Sequence, residues 1–165
     1  MLRKPLLYLS HFFKRNRIEY YDRLQDVRTK GDWEGWLKFF LRGVGEVANE
    51  ATDVARRIIA LREQHMLKIR DTMGQRTATA TRLLEQLFYH PVITVHLVEE
   101  ITGLSYANAN TLIVDFESLG LLKEISGRKR NRRYAYASYL SLLTDEGTAF
   151  QQTADFTDGS LAPSV

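Results

Sequence analysis

The sequence predicts a mainly α-helical protein: a long helical hairpin followed by a winged helix-turn-helix domain with a small β-hairpin wing. Three observations predict it. An apolar seam runs from Phe40 to Leu61 in alternating steps of 4 and 3 residues. Two short helical patterns are separated by the Gly-bearing turn "TGLS" at 102–105. Two strand-like runs, "LLKEIS" at 121–126 and "RRYAYA" at 132–137, flank the basic loop "GRKRN" at 127–131.

Composition bounds the remainder. The 165 residues suffice for one ordinary domain or two small ones with a buried core. The lack of cysteine excludes disulfides, thiolate catalysis and thiolate metal sites. No stretch approaches the ~18 uninterrupted apolar residues of a membrane span. The N-terminus "MLRKPLLYLSHFFKRN" is too broken by charge for a secretory signal, so a cytoplasmic location is expected. The net charge of +3 is unevenly spread. Met1–Gln75 holds 15 basic and 10 acidic residues, a balance of +5, whereas Arg76–Val165 holds 8 and 10, a balance of −2. Five of those eight bases lie between Arg128 and Arg133, a local positive patch on a neutral to acidic body. Three regions follow: a helical segment at 1–75, the winged helix-turn-helix domain at 76–144, and a polar tail at 145–165 expected to be disordered.

In the first region, Leu6, Leu9, Phe13, Tyr20, Leu24 and Val27 fall at helical spacing and predict one helix from Leu6 to Val27, ended by Gly31. Asp32 is placed to cap the next helix. No Pro interrupts Asp32–Met73, which at ~1.5 Å per residue would span roughly 60 Å. Its seam consists of Phe40, Val44, Val47, Ala51, Val54, Ile58 and Leu61, and a heptad seam wants a partner helix. The register then slips and resumes at Met66, Ile69 and Met73. So long a helix either bends, near Gly43 and Gly45, or packs against a second subunit; a homodimer is expected. The aromatics of this region read as packing. His11, His65, His90 and His96 are scattered, without partners at metal-ligand spacing, and no metal or cofactor is expected.

The second region has shorter elements. "DTMGQRTATAT" reads as a join between halves, and Thr81–Tyr89 as a helix with Leu83, Leu84, Leu87 and Phe88 inward. "VITV" makes a brief strand, and Thr94 caps a helix from His96 to Thr102. Ser105 caps a third helix to Leu119, with Gly120 as its left-handed stop. The two strands of the wing follow, then a closing helix from Ser138 to Leu143.

A winged helix places its third helix in the major groove and its wing on the flanking backbone. Arg128, Lys129, Arg130, Arg132 and Arg133 would supply charge to phosphates, giving affinity that falls with salt. Strand alternation would turn one of Arg132 and Arg133 away from the duplex. Tyr106, Asn108, Asn110 and Thr111 sit on the first turns of the third helix, and Asn108 or Asn110 suits adenine. Tyr134 and Tyr136 read as packing. Against DNA stands a third helix without Lys or Arg, carrying Asp115 and Glu117, preceded by Glu99 and Glu100. A protein-interaction role is the alternative, because the fold alone does not settle function.

Two runs carry a family resemblance. "KPLLYLSHFFKRNRIEYYDRLQDVRTKGDWEGWLKFFLRGV", Lys4–Val44, resembles the last part of bacterial Fic-family proteins, in which a Leu-Tyr-Leu-Ser segment and a Gly-Asp-Trp-Glu-x-Trp turn follow the catalytic core. "SGRKRNRRYAY", Ser126–Tyr136, is similar to the end of the winged helix that often follows. Together the resemblance spans roughly Lys4–Leu143. It implies a parent protein that transfers AMP from ATP to a hydroxyl side chain of a target protein. The family's His-Pro-Phe-x-Asp/Glu-Gly-Asn-Gly-Arg motif is absent here. "HFFKRNR", His11–Arg17, lacks both glycines and the acidic metal ligand, and in the family this stretch lies after the motif. The resemblance therefore implies a C-terminal, non-catalytic and regulatory portion that binds double-stranded DNA and dimerises, with the catalytic domain upstream. The alternative it leaves open is a protein-interaction or target-presenting module of a Fic AMP transferase.

Overall fold

The structure, a computed structural model, describes residues 9–128 and 130–144. It is mainly helical, with one small three-stranded antiparallel sheet. Lys129 and the predicted tail, 145–165, lie outside the described residues. Two compact units divide between Arg56 and Arg57. The sequence places a join later, at Gln75/Arg76; packing groups the last turns of the long helix with the second unit. Among the described residues no helix is long and apolar enough to cross a membrane.

The first unit contains α1 (Leu9–Arg15), α2 (Arg17–Lys30) and the start of α3 (Trp33–Thr72). The single helix expected over Leu6–Val27 is interrupted at Asn16, whose backbone leaves the helical region at φ −104°, ψ 38°. Both the Asn16 amide N–H and its side-chain Nδ2 donate to Phe12 O, at 2.9 and 3.0 Å. A short polar side chain that takes a local carbonyl competes with the helical ladder, which explains the break. Gly31 ends α2 in the left-handed region at φ +71°, its N–H donating to Val27 O at 3.1 Å. Asp32 then caps α3, with Oδ1 accepting from Gly35 N–H at 3.0 Å.

Phe12, Phe39 and Val47 form this unit's core, with Leu9, Phe13, Tyr20 and Trp36 packed against it. The rings of Phe12 and Phe39 lie 5.2 Å apart, and those of Phe13 and Tyr20 5.1 Å apart. The expected packing role of the aromatics holds for these residues. Gly43 serves a close approach: a Cβ added there would stand 2.5 Å from Phe12 Cδ1. α3 is helical without interruption through Gly43 and Gly45.

The seam residues divide among different surroundings. Val47 belongs to the first core, Phe40 faces the Phe13 ring at 6.3 Å, and Leu61 packs on the core of the second unit. Val44, Ala51, Val54 and Ile58 are half-buried.

The second unit takes the remainder of α3, a 3-10 turn at Gly74–Arg76, α4 (Thr77–Leu87), β1 (Val92–Ile93), α5 (Val95–Thr102), α6 (Tyr106–Ser118), β2 (Lys123–Glu124), β3 (Tyr134–Ala135) and α7 (Ala137–Thr144). α4 begins four residues earlier than the sequence suggests. Its Thr-rich start has weak helix propensity, but Ala80 is fully buried in line with Leu84 and Leu87, and packing decides. Thr94 Oγ1 accepts from Leu97 N–H at 3.3 Å and caps α5, which Gly103 ends at φ +74°. Ser105 occupies the cap position of α6 in extended backbone but makes no side-chain capping bond, contrary to expectation. Past the end of α6, Gly120 donates to Glu117 O at 2.9 Å and Leu121 to Phe116 O at 2.8 Å, the paired bonds of a left-handed glycine stop.

The sheet order is β1-β3-β2, with Val92 and Lys123 both opposite Ala135, and Ile93 and Glu124 both opposite Tyr134. Its central strand leads into a buried polar pair. Tyr136 Oη lies 2.7 Å from His65 Nδ1. Burial, and secondarily the charge of Lys68, hold the His65 pKa below its ordinary value, while burial pushes the Tyr136 phenol far up. Both groups are therefore neutral, and one proton is shared between the phenol oxygen and the imidazole nitrogen in a hydrogen bond.

Two glycines of one helix give opposite predictions. Gly43→Ala drives a methyl group into Phe12 and is expected to destabilise by about 1–3 kcal/mol. Gly45→Ala meets nothing within 4 Å and is expected to stabilise by roughly 0.5–1 kcal/mol. Thermal unfolding of the two variants checks both signs.

Candidate nucleic-acid interface

α6 is fixed from below by Ala109, Leu112, Ile113 and Phe116, all buried in the unit's core. Helical geometry then commits the intervening residues to solvent. Tyr106, Asn108, Asn110 and Thr111 are all exposed, as expected. Tyr106 rests its ring against His96, centroids 5.5 Å apart. Thr111 Oγ1 donates back to Ala107 O at 3.0 Å.

The hairpin loop between β2 and β3 is organised by a carboxylate that the sequence reading did not single out. Glu124 Oε1 accepts from Ser126 N–H at 2.8 Å, from Gly127 N–H at 2.9 Å and from the Ser126 hydroxyl. Ser126 Oγ in turn accepts from Arg133 N–H at 3.2 Å across the hairpin, and Ile125 N–H donates to Arg133 O at 2.9 Å. The Ser126 hydroxyl bond is the largest cause holding the Glu124 carboxyl below its usual range; the two amides and Arg132 act in the same direction. Asn131 makes the return at φ +52°, a conformation Asn tolerates better than most residues. The available signal was an acidic residue two positions before Ser-Gly at the head of a turn.

Loop and helix meet across a polar cleft of about 430 Å3 lined by Val95, Tyr106, Asn110, Arg130, Asn131, Arg132 and Tyr134. Four predicted site residues are thus brought together: Tyr106 and Asn110 from α6, Arg130 and Arg132 from the loop. Asn108, Thr111, Arg128 and Arg133 are exposed but do not line the cleft. Lys129 lies outside the described residues. Arg132 lines the cleft and Arg133 does not; both precede β3, which begins at Tyr134, so strand alternation does not extend to them. Tyr134 and Tyr136 are buried, which matches their expected packing role.

Two of the acidic residues near this face have close side-chain partners. Arg76 Nη1 approaches Asp115 Oδ2 at 2.7 Å, a close ion pair whose alignment falls short of a hydrogen bond. His96 Nδ1 lies 2.8 Å from Glu99 Oε2. A second cleft of about 420 Å3 lies in the first unit, but Arg42 and Arg23, which line it, both pair with Glu19, at 2.6 and 3.6 Å. Its charges are largely self-satisfied. Among the described residues no three His, Asp or Glu side chains gather as a metal ion would require. No model of a known protein family matches the chain.

The Glu124 turn carries a pH prediction. A carboxyl with a lowered folded pKa contributes stability above its unfolded value, and that contribution is lost as pH falls through the folded value. The Ser126 and Gly127 amide shifts in NMR are expected to titrate with a midpoint below the ordinary glutamate value of 4.5. Glu124→Gln should remove that titration. A midpoint at or above the ordinary value would contradict the bonding described.

Proposed function

We propose that the second unit is a winged helix-turn-helix domain that binds double-stranded DNA, and that the chain is a cytoplasmic, regulatory DNA-binding and dimerisation module of a Fic-type protein. The observation that carries this reading is the cleft itself, where Asn110 of α6 and two loop arginines line one concave surface. α6 enters the major groove by its first turns, and the loop lies along the flanking phosphates. Arg130 and Arg132 neutralise phosphate charge, while Asn110 offers a paired amide contact to a base edge. The loop supplies the cations that α6 lacks. No AMP transfer is assigned to the chain, since it lacks the family's His-Pro-Phe motif.

Fluorescence titration with a duplex at two salt concentrations tests the reading. Binding is expected to weaken as salt rises, because each phosphate contact releases about 0.9 counterion. Arg130→Ala with Arg132→Ala should weaken binding to all sequences and flatten the salt dependence by about 1 per arginine removed. Binding that ignores salt, or that these changes leave intact, overturns the proposal.

Self-association through α3 is favoured by its unspent apolar surface. Trp33, Leu37 and Leu41 recur every four residues and remain 67, 54 and 57% exposed. Beside them run the half-buried Val44, Ala51, Val54 and Ile58 of the heptad seam. Sedimentation is expected to show a dimer that Val54→Asp or Ile58→Asp weakens. A monomer at high concentration excludes it.

A further inference from the structure

The stripe that α6 exposes is electrically neutral. Ala107, Asn110, Thr111 and Val114 recur at the spacing of one helix face, and all four are exposed. α6 carries neither Lys nor Arg anywhere along Tyr106–Ser118. Its chemistry is one primary amide surrounded by methyl groups. Val114 is 52% exposed, an apolar side chain to which water offers nothing. Thr111 commits its hydroxyl proton to Ala107 O, so its donor is spent, and it offers a base edge its methyl and an acceptor oxygen but no donor for guanine.

The four base pairs differ in what they ask of such a surface. In the major groove guanine presents two acceptors, N7 and O6, and is matched best by the forked donors of Arg or by Lys. Cytosine presents an amino donor, which calls for an acidic acceptor. Adenine presents one acceptor and one donor, which a single Asn amide satisfies together. Thymine presents a methyl group, which apolar contact reads. The stripe has the complement of the adenine edge and of the thymine methyl, and lacks the usual complement of guanine. Asp115, the carboxylate next to Val114, is paired with Arg76.

We propose that the domain prefers A·T pairs in the major groove, Asn110 reading adenine while the methyls of Ala107, Thr111 and Val114 cover thymine methyls. This rests on the DNA-binding reading above and adds the class of sequence. The loop arginines bind any sequence alike, so discrimination falls to the neutral stripe.

Competition titrations on the full chain at one salt concentration test it. They use duplexes of equal length that are A·T-rich, G·C-rich, or A·T-rich with uracil replacing every thymine. The A·T-rich duplex is expected to bind about tenfold more tightly than the G·C-rich one, the ratio one good base contact supplies. Uracil, which removes only the methyl, should reduce that preference. Asn110→Ala should bring the A·T-rich affinity down toward the G·C-rich value. Equal, salt-dependent binding of the A·T-rich and G·C-rich duplexes overturns this inference and leaves DNA binding standing. A preference that survives uracil but is lost in Asn110→Ala overturns the methyl contacts and leaves the adenine contact standing; one that survives both changes overturns this inference. No binding to any duplex overturns both readings.

Discussion

The second unit depends on one buried segment, Tyr134–Ala135–Tyr136. Its backbone pairs with β1 on one side and β2 on the other, and Tyr136 N–H continues the contact to Pro91 O at 2.8 Å. Its two phenols are fully buried, and that of Tyr136 is hydrogen-bonded to His65 of α3. Three residues therefore set the sheet, anchor one stem of the hairpin loop and hold α3 against the core. The strands are only two residues long, far too short to persist alone. Their existence is a result of side-chain burial around the tyrosines.

The first unit is held by another device. A cluster of aromatic rings closes over α3, and the closure is possible only because position 43 has no side chain. The exposed ion pairs around it, such as Arg15 with Glu46 and Glu50, each contribute at most about 1 kcal/mol. Ring packing sets the arrangement of α1 and α2, and the charges decorate it.

Much of this was legible in the sequence where a local rule was at work. Gly31, Gly103 and Gly120 marked helix ends because a left-handed backbone selects glycine, and Asp32 and Thr94 marked starts because their oxygens meet orphan amides. The break at Asn16 was hidden, since apolar spacing continues on both sides of it. The start of α4 was hidden by three threonines whose propensity argues against the helix that packing imposes. At the candidate interface, exposure of the four α6 residues followed from helical period alone. The cleft that joins two of them to the loop did not, because its walls come from segments about twenty residues apart. The Glu124 turn left little local signal, because one carboxylate beside a run of five bases reads as a surface charge while its bonds go to backbone amides. The His65–Tyr136 pair, 71 residues apart, left no local trace.

That pair has a consequence for how the chain can vary. Losing either partner strands the other in the core without a hydrogen bond, which costs about 1–3 kcal/mol. Replacing both by apolar residues of like shape removes the need along with the bond. Between the two apolar and polar solutions lies a less stable single mutant, so the positions are locked into changing together. Residues 65 and 136 should drift through evolution as a unit, each acting as the other's inheritance constraint.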